Sequence, residues 1–331
     1  MSEKKISQLL MLGVAGEGLS SFERSVFKRY PPGGVILFAR NCIDPQKTRR
    51  LIAELQEIAI AASGLPLIVA IDQEGGSVTR LKVGFPDFPG ATFLGLQDDL
   101  EKTRRTAQSL GKALFEIGIN CNLAPVADLY NDSSRVLFKR CFGKDPGMVA
   151  DHVKAYIEGL QSCGIAACVK HFPGHGTVTS DSHKMLPVST IKRSELDSHL
   201  RPFAAAINAG VKVMMAAHLR FPEIDSRSVP FSPLFLNDIA RLEMGFSGLL
   251  ISDDLDMAAV SERPLPEVMI EGLKAGLDMA LWGRNLKPVA DPEPVLAGFC
   301  QNMQNCGLHK ELLQAKMDRV GHLRNFFFDK I

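Results

Sequence analysis

Gly164-Ile165-Ala166-Ala167-Cys168-Val169-Lys170-His171-Phe172-Pro173-Gly174-His175-Gly176 is the stretch from which the fold can be read. A glycine precedes five apolar residues, and a polar segment broken by proline and two glycines follows them. An amphipathic helix stands in front. Asp145-Pro146 supplies an N-cap and a proline at N1, and Val149, Val153, Tyr156, Ile157 and Leu160 fall on one side. Gly164 suits the position after that helix, because glycine takes up positive φ without a Cβ penalty. A short, nearly continuous apolar run such as Ile165–Val169 is the mark of a parallel strand covered on both faces.

The unit of helix, glycine, strand and polar loop recurs in both directions. Asp44-Pro45 opens a helix with Leu51, Ile52, Leu55 and Ile58 on one face, and Gly64 closes it before Leu67–Ile71. Ser232-Pro233 precedes Leu236, Ile239, Ala240 and Leu242; Gly245 and Gly248 then lead into Leu249–Ile251. Gly118, Gly210 and Gly276 stand in the same way before Ile119, Val211 and Leu277. With Leu9–Val14, Gly34–Phe38, Ile119–Leu123, Val211–Ala216 and Leu277–Leu281, the strands number eight. Eight strands separated mostly by helices imply one (β/α)8 TIM-type barrel, an α/β fold, over residues 1–290, with a helical C-terminal extension, 291–331, packed on it. A doubly wound open sheet needs fewer strands and would show a phosphate-binding glycine fingerprint after an early strand, which this chain lacks.

At 331 residues, 46% hydrophobic and 23% charged, the chain can bury a full core. A formal net charge of +1 leaves no basic excess to drive binding to a phosphate backbone, so nucleic acid is not the expected partner. Apolar runs fall short of the roughly 18 residues a membrane helix requires, and Met1–Ile6 leads into no signal-like segment. Seven cysteines form no CxxC pair and are odd in number, which speaks against a disulfide framework or zinc ribbon and for a reducing, cytoplasmic setting.

A barrel places functional groups after the C-terminal ends of its strands. Strand 3 ends in Asp72-Gln73-Glu74-Gly75-Gly76, with Arg80 shortly after. Strand 4 leads to Asn122, Pro125 and Asp128, and its loop carries Arg140. Strand 5 ends in Lys170-His171, strand 6 at His218, and strand 7 in Ser252-Asp253-Asp254. Two chemistries could use this rim. A metal-dependent hydrolase would recruit His171, His175, His183, His218 and Asp253, but the HxH pair such barrels carry after strand 1 is missing. Glycosidic cleavage needs a carboxylate to attack or steady the sugar cation and an acid for the leaving oxygen. Asp253 or Asp254 can supply the first. His183, with Asp181 two residues away to orient it and favour its protonated form, can supply the second. Lys170 requires a ligand or carboxylate partner, since an idle buried ammonium is costly. Glu74 is a rival carboxylate whose glycine-rich turn suggests backbone hydrogen bonding. His175 reads as a structural loop residue, and Trp282 either stacks on a sugar or packs in the core.

Lys170-His171-Phe172-Pro173-Gly174-His175-Gly176 with Asp181-Ser182-His183, Ser252-Asp253-Asp254-Leu255-x-Met257, Asp72-Gln73-Glu74-Gly75-Gly76 and Ala124-Pro125-Val126-x-Asp128 together resemble glycoside hydrolase family 3, in its single-domain bacterial β-N-acetylhexosaminidase branch. The resemblance spans roughly residues 6–285. It implies a retaining exo-glycosidase that removes terminal β-linked N-acetylglucosamine from carbohydrate substrates, typically muropeptide fragments, with no metal or other cofactor. Asp253 matches the nucleophile and His183 the mobile-loop acid/base, with Asp181 its partner. Asp72, Arg80, Arg140, Lys170 and His171 match positions that bind the non-reducing sugar. The Gly174–Gly176 segment then reads as the hinge of the loop that carries His183. The chain differs from the family's pattern at Ser77, at Phe138 and Lys139 before Arg140, and at Cys141. A family-3 enzyme of β-glucosidase-like specificity and a sugar-binding barrel without turnover are the competing readings.

Overall fold

Asp44 accepts a hydrogen bond from the Lys47 amide at 2.8 Å and Asp145 one from the Met148 amide at 2.7 Å, so helices Pro45–Ser63 and Pro146–Gln161 begin at the two Asp-Pro steps. Gly64 ends the first in the left-handed region, at φ 72°. The apolar faces of both helices are buried. Leu236, Ile239 and Ala240 of helix Leu234–Glu243 are buried as well. Leu242, expected on that face, is instead 77% exposed: six residues beyond Leu236, it lies well off the stripe that Leu236 and Ala240 define.

The computed structural model describes residues 2–130, 132, 137, 139–178, 186–257, 263–286 and 291–328. Eight parallel strands form the barrel: β1 (Leu10–Gly13), β2 (Gly34–Leu37), β3 (Ile68–Ile71), β4 (Cys121–Asn122), β5 (Ala166–Phe172), β6 (Val213–Ala216), β9 (Leu249–Ser252) and β10 (Ala280–Trp282). They pair in the order β10-β1-β2-β3-β4-β5-β6-β9, and a parallel bridge between Ile251 and Met279 closes the ring. The fold is a (β/α)8 barrel, as the strand count implies. After β6 the chain forms a short antiparallel hairpin, β7 (Arg220–Phe221) with β8 (Asp225–Ser228), which the apolar pattern does not announce because those strands are polar and partly exposed.

β5 extends beyond Val169, where its apolar run stops. Lys170 bridges Val126, its carbonyl accepts from the Ala127 amide at 2.6 Å, and Phe172 pairs with Ala216. The backbone ladder continues although the side chains turn polar, because those side chains face the barrel mouth rather than its core. A register shift between Val169 and Phe172 marks the spot.

Strand side chains alternate between two cores. Ile68 and Ala70, Ala166 and Cys168, and Leu249 and Ile251 are among those filling the barrel interior. Their neighbours, such as Val69, Val169 and Leu250, pack outward against the helices. At the N-terminal end of the strands, helix Lys310–Phe328 sends Val320, Leu323 and Phe327 into the interior cluster. Burying each is worth about 1.5–3 kcal/mol. Around this plug, Arg319 pairs with Asp278 at 2.8 Å, and Lys316 donates to the Leu277 carbonyl at 2.7 Å. Helix Glu293–Asn305 buries Leu296, Phe299, Cys300 and Met303 in the outer core. No helix among the described residues is long and apolar enough to cross a membrane.

Candidate active site

Carrying the interior alternation one step past the apolar residues generates the site. After Ile68 and Ala70 the next inward position is Asp72; after Ala166 and Cys168 it is Lys170; after Leu249 and Ile251 it is Asp253. All three line one pocket of about 230 Å³ at the C-terminal mouth of the barrel. Arg80, Arg140 and His171 line it too, so the six described residues that sequence reasoning assigned to chemistry or sugar binding meet in one cavity. Asp181 and His183 lie outside the described residues. His171 breaks the alternation: the register shift in β5 lets it and Lys170 both face the pocket.

The polar wall is a chain of ion pairs. Lys170 Nζ lies 2.7 Å from Asp72 Oδ1 and 2.6 Å from Glu74 Oε1. Burial works against the Lys170 charge, yet the two carboxylates outweigh it and hold the ammonium above its ordinary value. Glu74 also takes Arg140 in a fork, 2.8 Å to Nη2 and 3.0 Å to Nε. Glu74 is therefore a side-chain partner of two cations. Burial alone would raise its carboxyl, but Arg140 and Lys170 hold it far below the usual range. That corrects the expectation of backbone hydrogen bonding. Arg80 Nη2 reaches Asp72 Oδ2 only at 3.5 Å, and the buried Arg80 Nε has no partner among the described residues, which leaves donor capacity at the pocket.

The two adjacent carboxylates after β9 differ in kind. Asp254 Oδ1 accepts from the Gly283 amide at 2.9 Å and the Asp256 amide at 3.0 Å, tying the end of β9 to the end of β10. Burial nevertheless pushes its carboxyl up to about 7. Asp253 accepts from the Asp254 amide at 2.8 Å. Burial would raise it as well, but the imidazoles of His171 and His218, that amide and the Lys170 ammonium hold it below the usual carboxylate value. Asp253 is thus biased towards the ionised form, and Asp254 towards the protonated one.

Asp128, fully buried, accepts from His171 Nδ1 and from the His175 amide, each at 2.6 Å. His175 lines the pocket with its ring edge-on to His171, the centroids 5.9 Å apart, so it belongs to the wall as well as to the loop. Gly174 (φ 129°) lies against His199, and a Cβ on Gly176 would come within 2.1 Å of the Leu129 carbonyl oxygen. These glycines allow close packing here. Trp282 points outward into the helix-side core, 1% exposed, and donates from Nε1 to Asp256 Oδ1 at 2.8 Å. Its place one residue after inward-facing Leu281 settles it as core. Phe38, Leu123, Met215 and Met257 supply apolar wall. Ser77 is exposed outside the pocket lining, and Cys141 is buried and likewise outside it. Phe138 lies outside the described residues, and Lys139 sits at φ 62°. Among the described residues no three His, Cys, Asp or Glu side chains converge as a metal site requires.

The family model described as "Glycosyl hydrolase family 3 N terminal domain" matches residues 1–323. A protein named Beta-hexosaminidase from Alkalilimnicola ehrlichii is 36% identical over 301 residues, covering 86% of this chain and 85% of its own length. The structure of a glycoside hydrolase family 3 beta-N-acetylglucosaminidase from Paenibacillus sp. superposes with a TM-score of 0.93 at 32% identity, covering 100% of this chain but 63% of that longer one. That of a Beta-N-acetylhexosaminidase from Beutenbergia cavernae gives 0.88 at 27% identity, covering 98% and 99%.

Proposed function

The chain belongs to glycosyl hydrolase family 3, and on that premise we propose that it is a retaining exo-β-N-acetylhexosaminidase acting on terminal non-reducing N-acetylglucosamine. Its relatives' names support the substrate class. The reaction class rests on the pocket: an ionised carboxylate, Asp253, faces a cavity whose other wall is a set of paired cations and carboxylates suited to sugar hydroxyls.

The steps follow from those groups. Asp72, Arg80, Arg140, Lys170 and His171 hold the hydroxyls of the terminal sugar. An Asp253 carboxylate oxygen bonds to the anomeric carbon as the glycosidic C–O bond breaks, and His183 gives its proton to the departing oxygen. Water then attacks the glycosyl-aspartate, losing a proton to His183, and Asp253 is released with the anomeric configuration retained. The assignment of the nucleophile is carried by geometry: Asp253 takes the next inward position after Leu249 and Ile251, whereas Asp254 Oδ1 is engaged by the Gly283 and Asp256 amides. The pKa directions agree with this: Asp253 is held below the usual carboxylate value, and burial raises Asp254. Asp181 is the partner that orients His183 and favours its charged form.

The seven free cysteines suit a reducing cytoplasm, and the resemblance to this branch favours muropeptide fragments as the source of the sugar. The test is a panel of aryl β-glycosides with the wild type and Asp253→Asn. The wild type should turn over the N-acetylglucosaminide and not the glucoside, and Asp253→Asn should lose on the order of 10³-fold or more in kcat. Preference for the glucoside, or full activity in the variant, would overturn the proposal. Release of N-acetylglucosamine from muropeptide fragments tests the natural source.

A further inference from the structure

We propose that Asp128 is a positioning residue for this site: it turns the His171 imidazole so that Nε2 faces the sugar, and the same carboxylate holds the amide of His175 in the turn His175–Thr177. What the pocket binds rests on the glycosidase reading above; the geometry of Asp128 does not.

Asp128 is 0% exposed and is not part of the pocket wall. A carboxylate so placed is costly unless hydrogen bonds satisfy it. Among the described residues, its donors all come from one short stretch. His171 gives its ring Nδ1–H at 2.6 Å and its amide at 3.3 Å to each oxygen, and His175 gives its amide at 2.6 Å. The carboxyl is buried, which alone would raise it, but His171 and His175 hold it below its ordinary range.

An ionised carboxylate can only accept, so Nδ1 of His171 carries the proton. Nε2 is then the nitrogen left for the pocket that His171 lines. It accepts from a sugar hydroxyl when the ring is neutral and donates when the ring is charged. The second bond runs elsewhere: the His175 amide belongs to the turn His175–Thr177, from which the chain continues towards Asp181 and His183. One buried group therefore holds both the His171 ring and the turn His175–Thr177. The link is mechanical, since Gly176 packs against the Leu129 backbone one residue beyond Asp128.

Asp128→Asn separates this role from a purely structural one. The amide oxygen can still serve the His175 amide, but the NH2 group then faces Nδ1 and forces the ring proton onto Nε2, the wrong tautomer for the site. The readout is ¹⁵N NMR of the imidazoles, with His171 assigned by its disappearance in His171→Ala. In the wild type, the neutral His171 ring should carry its proton on Nδ1; in Asp128→Asn it should move to Nε2. On an aryl N-acetylglucosaminide, Asp128→Asn should lose on the order of 10²-fold in kcat/KM. Adding it to His171→Ala should cost much less than it does alone, because the two act as a unit.

A wild-type His171 with its proton on Nε2 overturns the proposal, and that measurement requires no variant to fold. So does Asp128→Asn with an unchanged tautomer and full kcat/KM, or with a loss that adds in full to that of His171→Ala. A chain inert towards every glycoside would remove the glycosidase reading while leaving the imidazole spectra to decide the role of Asp128.

Discussion

Glu74 holds Arg140 through both carboxylate oxygens, at 2.8 and 3.0 Å, although they stand 66 residues apart after different strands. The same Oε1 is 2.6 Å from Lys170. Removing the Glu74 charge would leave two cations buried without full compensation, a loss of about 3–5 kcal/mol for a broken buried pair. Glu74→Gln should therefore lower the urea midpoint and raise KM for an aryl N-acetylglucosaminide, since Arg140 and Lys170 would no longer be held for the sugar. An unchanged midpoint and KM would refute the bracing role. The Glu74 carboxyl is depressed in the fold, so its contribution is present above the ordinary value of 4.5 and is lost as pH falls below it.

Asp254 has the opposite sign. Its carboxyl is raised from 3.8 to about 7, chiefly by burial. Below the unfolded value both states are protonated and nothing is lost. Between the two values the unfolded chain ionises while the folded one keeps its proton, so stability falls as pH rises towards about 7. Asp254→Asn keeps an oxygen for the Gly283 and Asp256 amides but does not titrate. Its Tm relative to wild type should become more favourable as pH rises from 3.8 towards about 7. A difference that does not vary with pH would contradict the raised carboxyl.

Gly13 ends β1 where the chain after β10 crosses it. A Cβ there would lie 1.7 Å from the Gly283 carbonyl oxygen and 2.5 Å from its carbon, both backbone atoms that cannot swing aside. Gly13→Ala should destabilise the barrel by about 1–3 kcal/mol as an overpacked position. It should also lower activity, because Gly283 donates to Asp254 beside Asp253, the proposed nucleophile. Wild-type denaturation and activity together would show that the strand ends can part at no cost.

His183→Ala should behave differently with different leaving groups. Aryl glycosides whose phenols leave readily need little protonation, whereas a disaccharide needs the proton. The loss should be small for the former and on the order of 10²–10⁴-fold for the latter. Equal losses would argue against an acid role. Exhaustive chelation should change neither rate.

The barrel was legible because its signals are local: Asp-Pro caps, a glycine ahead of most strands and one short apolar run per strand. Asp72, Lys170 and Asp253 were legible for a related reason, since each sits two residues beyond an inward-facing apolar side chain. Trp282 could have been resolved by the same count, one residue after inward-facing Leu281. His171 could not, because a register shift in β5 suspends the alternation. Glu74 and Asp128 are parts of the site whose partners lie 43 to 96 residues away in sequence, and nothing in a single chain's spacing pairs them. The β7–β8 hairpin escaped because polar, partly exposed strands carry no apolar run.

The central claim is that Asp253 forms a covalent bond to the sugar. An activated fluorosugar derived from N-acetylglucosamine slows the second step and lets the glycosyl-enzyme accumulate for mass spectrometry of the intact chain and its peptides. One added glycosyl group, located on the peptide containing Asp253 and absent from Asp253→Asn, is the predicted result. An adduct on any other residue, or steady turnover of the reagent to inverted product with no adduct, would contradict it.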